Sequence, residues 1–200
     1  RPARRNLSYL VCTQFLFIHL ACLLAFWTGV SAAAVAVCLG LYVVRMFAIT
    51  AGFHRLFSHR SYKTGRLFQF LLGFVATAAY QKGPLWWSAH HRRHHLHVDT
   101  EEDLHSPVMR SVWQSHVGWF LSCDSQTTDV RLISNLIKYR ELRWLDKFYV
   151  LPPLLLAAST FLLGLLLGRY FPASGTSGWQ MLVWGFFIST VLLYHGTFTV

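Results

Sequence analysis

His54-Arg55-Leu56-Phe57-Ser58-His59 and His91-Arg92-Arg93-His94-His95 are the two stretches on which the reading of this chain turns. Imidazole is the commonest metal ligand in proteins, and a dense group of it beside apolar sequence points to a metal site. On a helix, His91, His94 and His95 follow the i, i+3, i+4 spacing and share one stripe. His54 and His59 are five apart, so on an ideal α-helix they diverge by roughly 140°. They can meet one metal only near a helix end or from opposite sides of it.

Both clusters adjoin long apolar runs. The chain has 200 residues, 54% hydrophobic and 16% aromatic, with a mean hydropathy of +0.39. That composition excludes an ordinary soluble domain. Four runs, about 7–27, 31–51, 148–168 and 179–200, each approach the ~20 residues that cross ~30 Å of hydrocarbon. The second carries Arg45; the other three carry no Lys, Arg, Asp or Glu. A fifth run, 67–80, is too short to span and is expected at the interface or within the protein. The expected fold is all-α and integral to a membrane. Four transmembrane helices would carry a cytoplasmic helical cap over about 53–147, in a single domain covering 1–200.

Arg1, Arg4 and Arg5 precede the first run, and most other basic residues fall between Phe53 and Lys147. The positive-inside rule then places the N-terminus and the histidine clusters in the cytoplasm. The net charge of +10 follows from that topology and gives no ground for nucleic acid binding. All acidic residues lie between Asp99 and Asp146, the mark of a folded polar cap, with 99–103 as a hydrated acidic connector. Within the cap, a helix is expected from Pro107 to about Leu121, with Trp113, Val117 and Phe120 on one face. Another is expected over about 130–148, turning Ile133, Leu136 and Ile137 inward or to lipid. The Arg-rich start is not read as a secretory signal, because the first apolar run is long and a second follows at once. Cys12, Cys22, Cys38 and Cys123 form no Cys-x-x-Cys pair, so neither a disulfide framework nor a zinc ribbon is expected. With no initiator Met and an apolar run still open at Val200, the chain is expected to be cut at both ends.

The first cluster, the segment Trp86-Trp87-Ser88-Ala89-His90-His91-Arg92-Arg93-His94-His95 and Ser115-His116-Val117-Gly118-Trp119 occur in this order around the apolar runs. Together they closely resemble the membrane acyl-CoA desaturases, nearest the bacterial branch of the stearoyl-CoA (Δ9) type. The resemblance covers nearly the whole chain. It implies a multi-pass enzyme of the bacterial inner membrane with two iron ions held by histidines. Carried over, His54, His59, His91 and His95 would ligate one iron and His94 the other. The family's third His-x2-His-His box, and an isolated ligand after the last span, do not occur here. The second site would therefore be incomplete and this stretch alone inactive. His195 lies upstream of that isolated ligand and is expected in an outer, hydrogen-bonding role. His90, His97 and His105 are expected to be solvated or to meet a substrate head group. His116 is expected to pack within its helix, and His19 to hydrogen-bond a neighbouring helix.

The implied reaction is O2-dependent insertion of a cis double bond, at Δ9 in the resembled type, into a long-chain acyl group on CoA or another carrier. Electrons would come from a ferredoxin, rubredoxin or cytochrome b5 donor with its reductase, and membrane lipid would surround the enzyme. No side chain can oxidise an unactivated CH2–CH2, so a metal must carry the chemistry. Arg60, Lys63, Lys82 and Arg110 can meet the phosphates of an acyl carrier or serve as membrane-surface cations. Cys38 and Tyr42, one turn apart, either close the far end of an acyl tunnel or pack against a neighbouring helix or lipid. Two rival functions stay open. A related membrane di-iron hydroxylase would yield an alcohol, and a histidine-rich metal transporter would need ionisable groups at mid-depth in several spans.

Overall fold

The computed structural model describes residues 6–198, so Arg1, Arg4, Arg5 and the last residues of the expected fourth span lie outside it. In chain order the helices are α1 (Tyr9–Thr28), α2 (Ala32–Ser58), α3 (Arg66–Thr77), α4 (Pro84–Leu96), α5 (112–121), α6 (Arg140–Lys147), α7 (Leu151–Tyr170) and α8 (178–198). Among the described residues there is no strand, only an isolated bridge between Leu7 and Ser122.

Three helices, α1, α2 and α7, are long and apolar enough to cross a bilayer. The 20 residues of α1 and of α7 rise roughly 30 Å, the thickness of the hydrocarbon core. Four such helices were expected. The described part of the fourth, α8, is an unbroken helix that passes through a π-turn at Val183–Ile188. It buries the polar groups Gln180, Ser189 and Thr190 against its neighbours.

At the end of the bundle away from the histidine clusters, polar side chains close the helix termini. Ser31 caps α2 by accepting from the Ala34 amide, and its hydroxyl donates to Gln180 Oε1 at 2.7 Å. Ser177 caps α8 by accepting from the Gln180 amide, and Gln180 Nε2 donates to the Thr28 carbonyl. These bonds satisfy orphan backbone groups at three helix ends and fix α1, α2 and α8 together.

The α7–α8 contact rests on absent side chains. Gly164 and Gly168 are one turn apart on α7 and face the start of α8. Small residues at this spacing let two backbones approach closely in an apolar solvent.

The short helices pack around the end of α2. Phe53 and Phe57 at the end of α2 are buried with Leu72 and Ala76 of α3, Leu85 and Ala89 of α4, and Leu142 and Leu145 of α6. Ile133 and Leu136 join this core as expected, but not from one long helix. The 130–148 segment is a 3-10 turn at Val130–Ile133, a run of turns, and then α6. The helix is interrupted where Arg92 captures the Leu132 carbonyl at 2.6 Å, removing an acceptor that a continuous helix would use. The helix expected from Pro107 begins only at 112, because 99–110 wraps around a buried carboxylate described below. Val117 and Phe120 are buried on it, whereas Trp113 is exposed.

A Cβ built on Gly164 would lie 2.3 Å from the Ser177 carbonyl oxygen and 2.7 Å from Met181 Cβ. Gly164→Leu should therefore cost about 1–3 kcal/mol, read as a fall in thermal midpoint of roughly 2–4 °C per kcal/mol in detergent. Leu166→Ala, on the outward side of the same helix, should leave the midpoint nearly unchanged.

Candidate metal centre

The last ten residues of α2, Ile49–Ser58, are π-helical. The His59 amide donates to the His54 carbonyl at 3.0 Å, and Ser58 Oγ donates to the Phe53 carbonyl at 2.7 Å. An i→i+5 bond widens the turn, so two residues five apart come onto the same face. This removes the roughly 140° divergence of an α-helix. His59 Nε2 lies 3.1 Å from His54 Nε2.

Helix α4 brings the second cluster to the same point. His91 Nε2 is 3.0 Å from His59 Nε2 and 3.0 Å from His95 Nε2. One ring nitrogen from each of His54, His59, His91 and His95 lies within 4.8 Å of the others. His54 and His91 are half-buried, while His59 and His95 are exposed. Burial, and then the neighbouring imidazoles His54, His95, His59 and His94, push His91 down to about 3. Burial also lowers His95. Both shifts favour the neutral imidazole, the form that binds a metal, at His91 and His95.

Three groups that no sequence pattern singles out hold this arrangement. Arg92, between the ligand candidates, donates through Nε to the Ser58 carbonyl at 3.0 Å and through its other nitrogens to the Phe57 carbonyl and Asn135 Oδ1. It closes the carbonyl end of the π-helix and ties the two histidine clusters together. Asp146 of α6 accepts from the Leu85 and Trp86 amides at 3.0 and 2.9 Å, capping the N-terminus of α4. It can do so because Gly83 has no side chain: a Cβ there would sit 2.4 Å from Asp146 Cα.

The third is Asp103, which the acidic composition of 99–103 presented as hydrated. It is 1% exposed. His94 Nδ1–H donates to it at 3.0 Å, with further donation from the His105 and Asp99 amides. Burial would raise this carboxyl, but the His94 ring and the two amides outweigh it and hold it below the usual range. The bond fixes the His94 tautomer and leaves Nε2 as the free lone pair, the usual preparation of a metal-binding imidazole.

A cavity of about 420 Å³ adjoins the cluster, lined by Met46, Ile49 and Thr50 of α2, Gln81, Trp86, Trp87 and Trp119, and Gly196 and Thr197 of α8. His90 lines it too. It is stacked on Trp86 at 4.3 Å, with Nδ1–H on the Trp86 carbonyl, and is pushed down to about 4 chiefly by burial. His105 also faces the cavity, 5.6 Å from His94, while His97 pairs with Glu102 at 3.3 Å.

None of the four expected carrier-binding cations lines this cavity. Arg60 holds Asn135, and Arg110 holds the Asp103 and Glu101 carbonyls. Lys82 donates to Gln126 and lies over the Trp86 and Tyr149 rings, and Lys63 is exposed. Arg93 lines it instead. Tyr42 packs against Gly196, and Cys38 is buried further up α2. His195 does not approach the cluster: it bonds His116 at 2.9 Å and His19 at 3.1 Å. His19 thus reaches a neighbouring helix as expected, whereas His116 bonds across to α8 rather than within its own helix.

Asp146→Ala should cost about 1–2 kcal/mol through loss of the α4 cap, measured as a lower midpoint of thermal unfolding. Gly83→Ala should produce a similar or larger loss with Asp146 still in place, because it drives α6 off the α4 terminus.

The sequence model of the fatty acid desaturase family matches residues 30–200. The sn-1 stearoyl-lipid 9-desaturase of Anabaena variabilis is 36% identical over 93% of this chain and 64% of its own length. The protein of the same name from Synechocystis sp. is 32% identical over 96% of this chain and 57% of its own length. The acyl-CoA C20 Delta5-desaturase of Anemone leveillei is 30% identical, over 89% and 54% respectively. The chain thus spans between about half and two thirds of the length of these curated relatives. With most of its residues matched by the family model, this chain belongs to the fatty acid desaturase family.

Proposed function

We propose that the protein is a membrane acyl desaturase that inserts a cis double bond, of the Δ9 type, into a long-chain acyl group. The observation that carries this reading is the convergence of His54, His59, His91 and His95 beside a largely apolar cavity. The donor set suits iron. Neighbouring nitrogens sit 3.0–3.1 Å apart, close to the separation of adjacent ligands on one ion with bonds of about 2.1 Å. His94, turned aside by Asp103, is the candidate ligand of a second iron. When bound, the iron pair would supply the oxidising power of O2: two hydrogens leave adjacent CH2 groups and O2 becomes two waters, with two electrons from an external ferredoxin, rubredoxin or cytochrome b5 donor and two protons from solvent.

The protein's own residues supply position and dryness. Trp86, Trp87 and Trp119 wall the cavity and exclude water from an acyl chain passing the histidines. Tyr42 and Cys38, further along α2, form the closed end of the acyl path, and Tyr42→Ala should admit longer chains while Cys38→Trp shortens the preference. The relatives' names include both lipid-linked and CoA-linked acyl groups, and either carrier fits a cavity whose polar rim includes His90 and Arg93. We read α8 as a fourth span, because it carries no formal charge over 178–198. The clustering of basic residues over 53–147 supports a cytoplasmic side for the histidines, and we read the membrane as a bacterial inner membrane.

The test is the product. Full-length protein supplied with stearoyl and palmitoyl substrates, O2 and a reducing system should give a monounsaturated chain, identified by mass spectrometry; an alcohol product would point to a hydroxylase, and neither product would sink the reading. His59→Ala should abolish the alkene and lower bound iron, with membrane insertion unchanged. Asp103→Asn should weaken iron binding at the second position about 10–100-fold while leaving the four-histidine position loaded.

A further inference from the structure

Arg45 lies within the apolar length of α2 and is 1% exposed. Its Nε donates to the Leu41 carbonyl at 3.1 Å, and NH1 donates to the Ala78 carbonyl at 3.3 Å and Thr190 Oγ1 at 2.9 Å. NH2 donates to Ser189 Oγ. All these partners are neutral, and among the described residues no carboxylate pairs with it. A cation buried this way is a poor source of stability, since an apolar residue of similar volume commonly serves the fold as well. Its placement has another consequence.

The three elements joined by this guanidinium all contribute to the wall of the cavity, opposite the tryptophans and histidines of α4 and α5. Met46 and Thr50 come from α2, Gln81 from the turn after α3, and Gly196 and Thr197 from α8. The bonds to Leu41, to Ala78 and to Ser189 and Thr190 fall on those same elements. Arg45 precedes His54 by nine residues, and Thr190 precedes Thr197 by seven, so one node sets the height of both walls about 10–14 Å away. The turn needs such a clamp. Tyr80 and Lys82 both hold left-handed backbone, with φ of 62° and 64°, which non-glycine residues keep only when their surroundings enforce it. Tyr194 of α8 holds the Tyr80 carbonyl at 2.9 Å, and Gln81 Nε2 donates to Thr197 Oγ1 at 2.7 Å. These contacts carry the register set at Arg45 to the cavity wall.

We infer that Arg45 is a positioning residue: it registers α8 and the 78–82 turn against α2, and so fixes which carbon–carbon bond of an acyl chain faces the histidine cluster. The inference rests on the desaturase reading above.

The experiment compares wild type, Arg45→Met, Arg45→Lys and Thr190→Val in the full-length enzyme, scoring double-bond position by mass spectrometry of the products together with the thermal midpoint. Wild type should give a single dominant positional isomer. Arg45→Met should keep a midpoint close to wild type yet spread the product over neighbouring positions, with kcat/KM reduced roughly tenfold to a hundredfold, the scale of an ångström-sized misplacement. Arg45→Lys, which restores the cation but not the fork of donors, should fall between the two. Thr190→Val removes one of the two bonds to α8 and leaves NH1 on Ala78 and NH2 on Ser189, and should show a smaller spread in the same direction even if Arg45→Met fails to accumulate. A single isomer at the wild-type position in the variants that fold would overturn the inference. Absence of any alkene from wild type would instead overturn the desaturase reading.

Discussion

The site depends on one hydrogen-bond register, the i→i+5 bond from the His59 amide to the His54 carbonyl. With the ordinary i→i+4 register, the two histidines would point to different sides of α2 and only one could face α4. The π-turn costs regular helix geometry, and its carbonyl end requires partners from elsewhere. Arg92 provides them, from the helix that carries the other histidines. The same side chain that closes the π-helix thereby sets the distance between the two clusters. Position and stability are coupled at this point, since a loss of Arg92 would loosen both.

Around that register the cap is a set of supports for α4. Asp146 fixes its start, Arg92 its middle and Asp103 the orientation of His94 near its end. Asp146 and Asp103 come from different segments and Arg92 reaches out from α4 to a third, which explains why the polar middle of this chain is folded back on itself although it contains few long helices. The backbone of 99–105 is used to enclose a single carboxylate, and the 130–139 segment is used to meet two arginines. Regular helix is sacrificed in both places for a hydrogen bond that orients the site.

Much of this was legible in the sequence. Apolar runs of about twenty residues located α1, α7 and the start of α2 to within a few residues, because bilayer thickness leaves little freedom in length; α2 runs on to Ser58, past the expected end at 51, through its π-helical turn. The i, i+3, i+4 spacing correctly put His91, His94 and His95 on one stripe of α4. What could not be read was set by tertiary contact. Nothing local marks Ile49–Ser58 as π-helical, since the register follows from packing of the 52–58 turn on α3 and from the capture of its carbonyls by Arg92. Asp103 reads as one of several hydrated acids, and only the wrapped chain shows that it alone is buried against His94. The cap helices were drawn too long because periodicity cannot reveal that an arginine forty residues away takes the Leu132 carbonyl.

On the proposed reading, the π-turn gathers His54, His59, His91 and His95 around one ion. Diffraction from crystals of the iron-loaded, full-length protein at the iron absorption edge tests it most directly. An anomalous peak is expected with all four Nε2 atoms at about 2.1 Å. A peak elsewhere, or one that His59 does not reach, would contradict it.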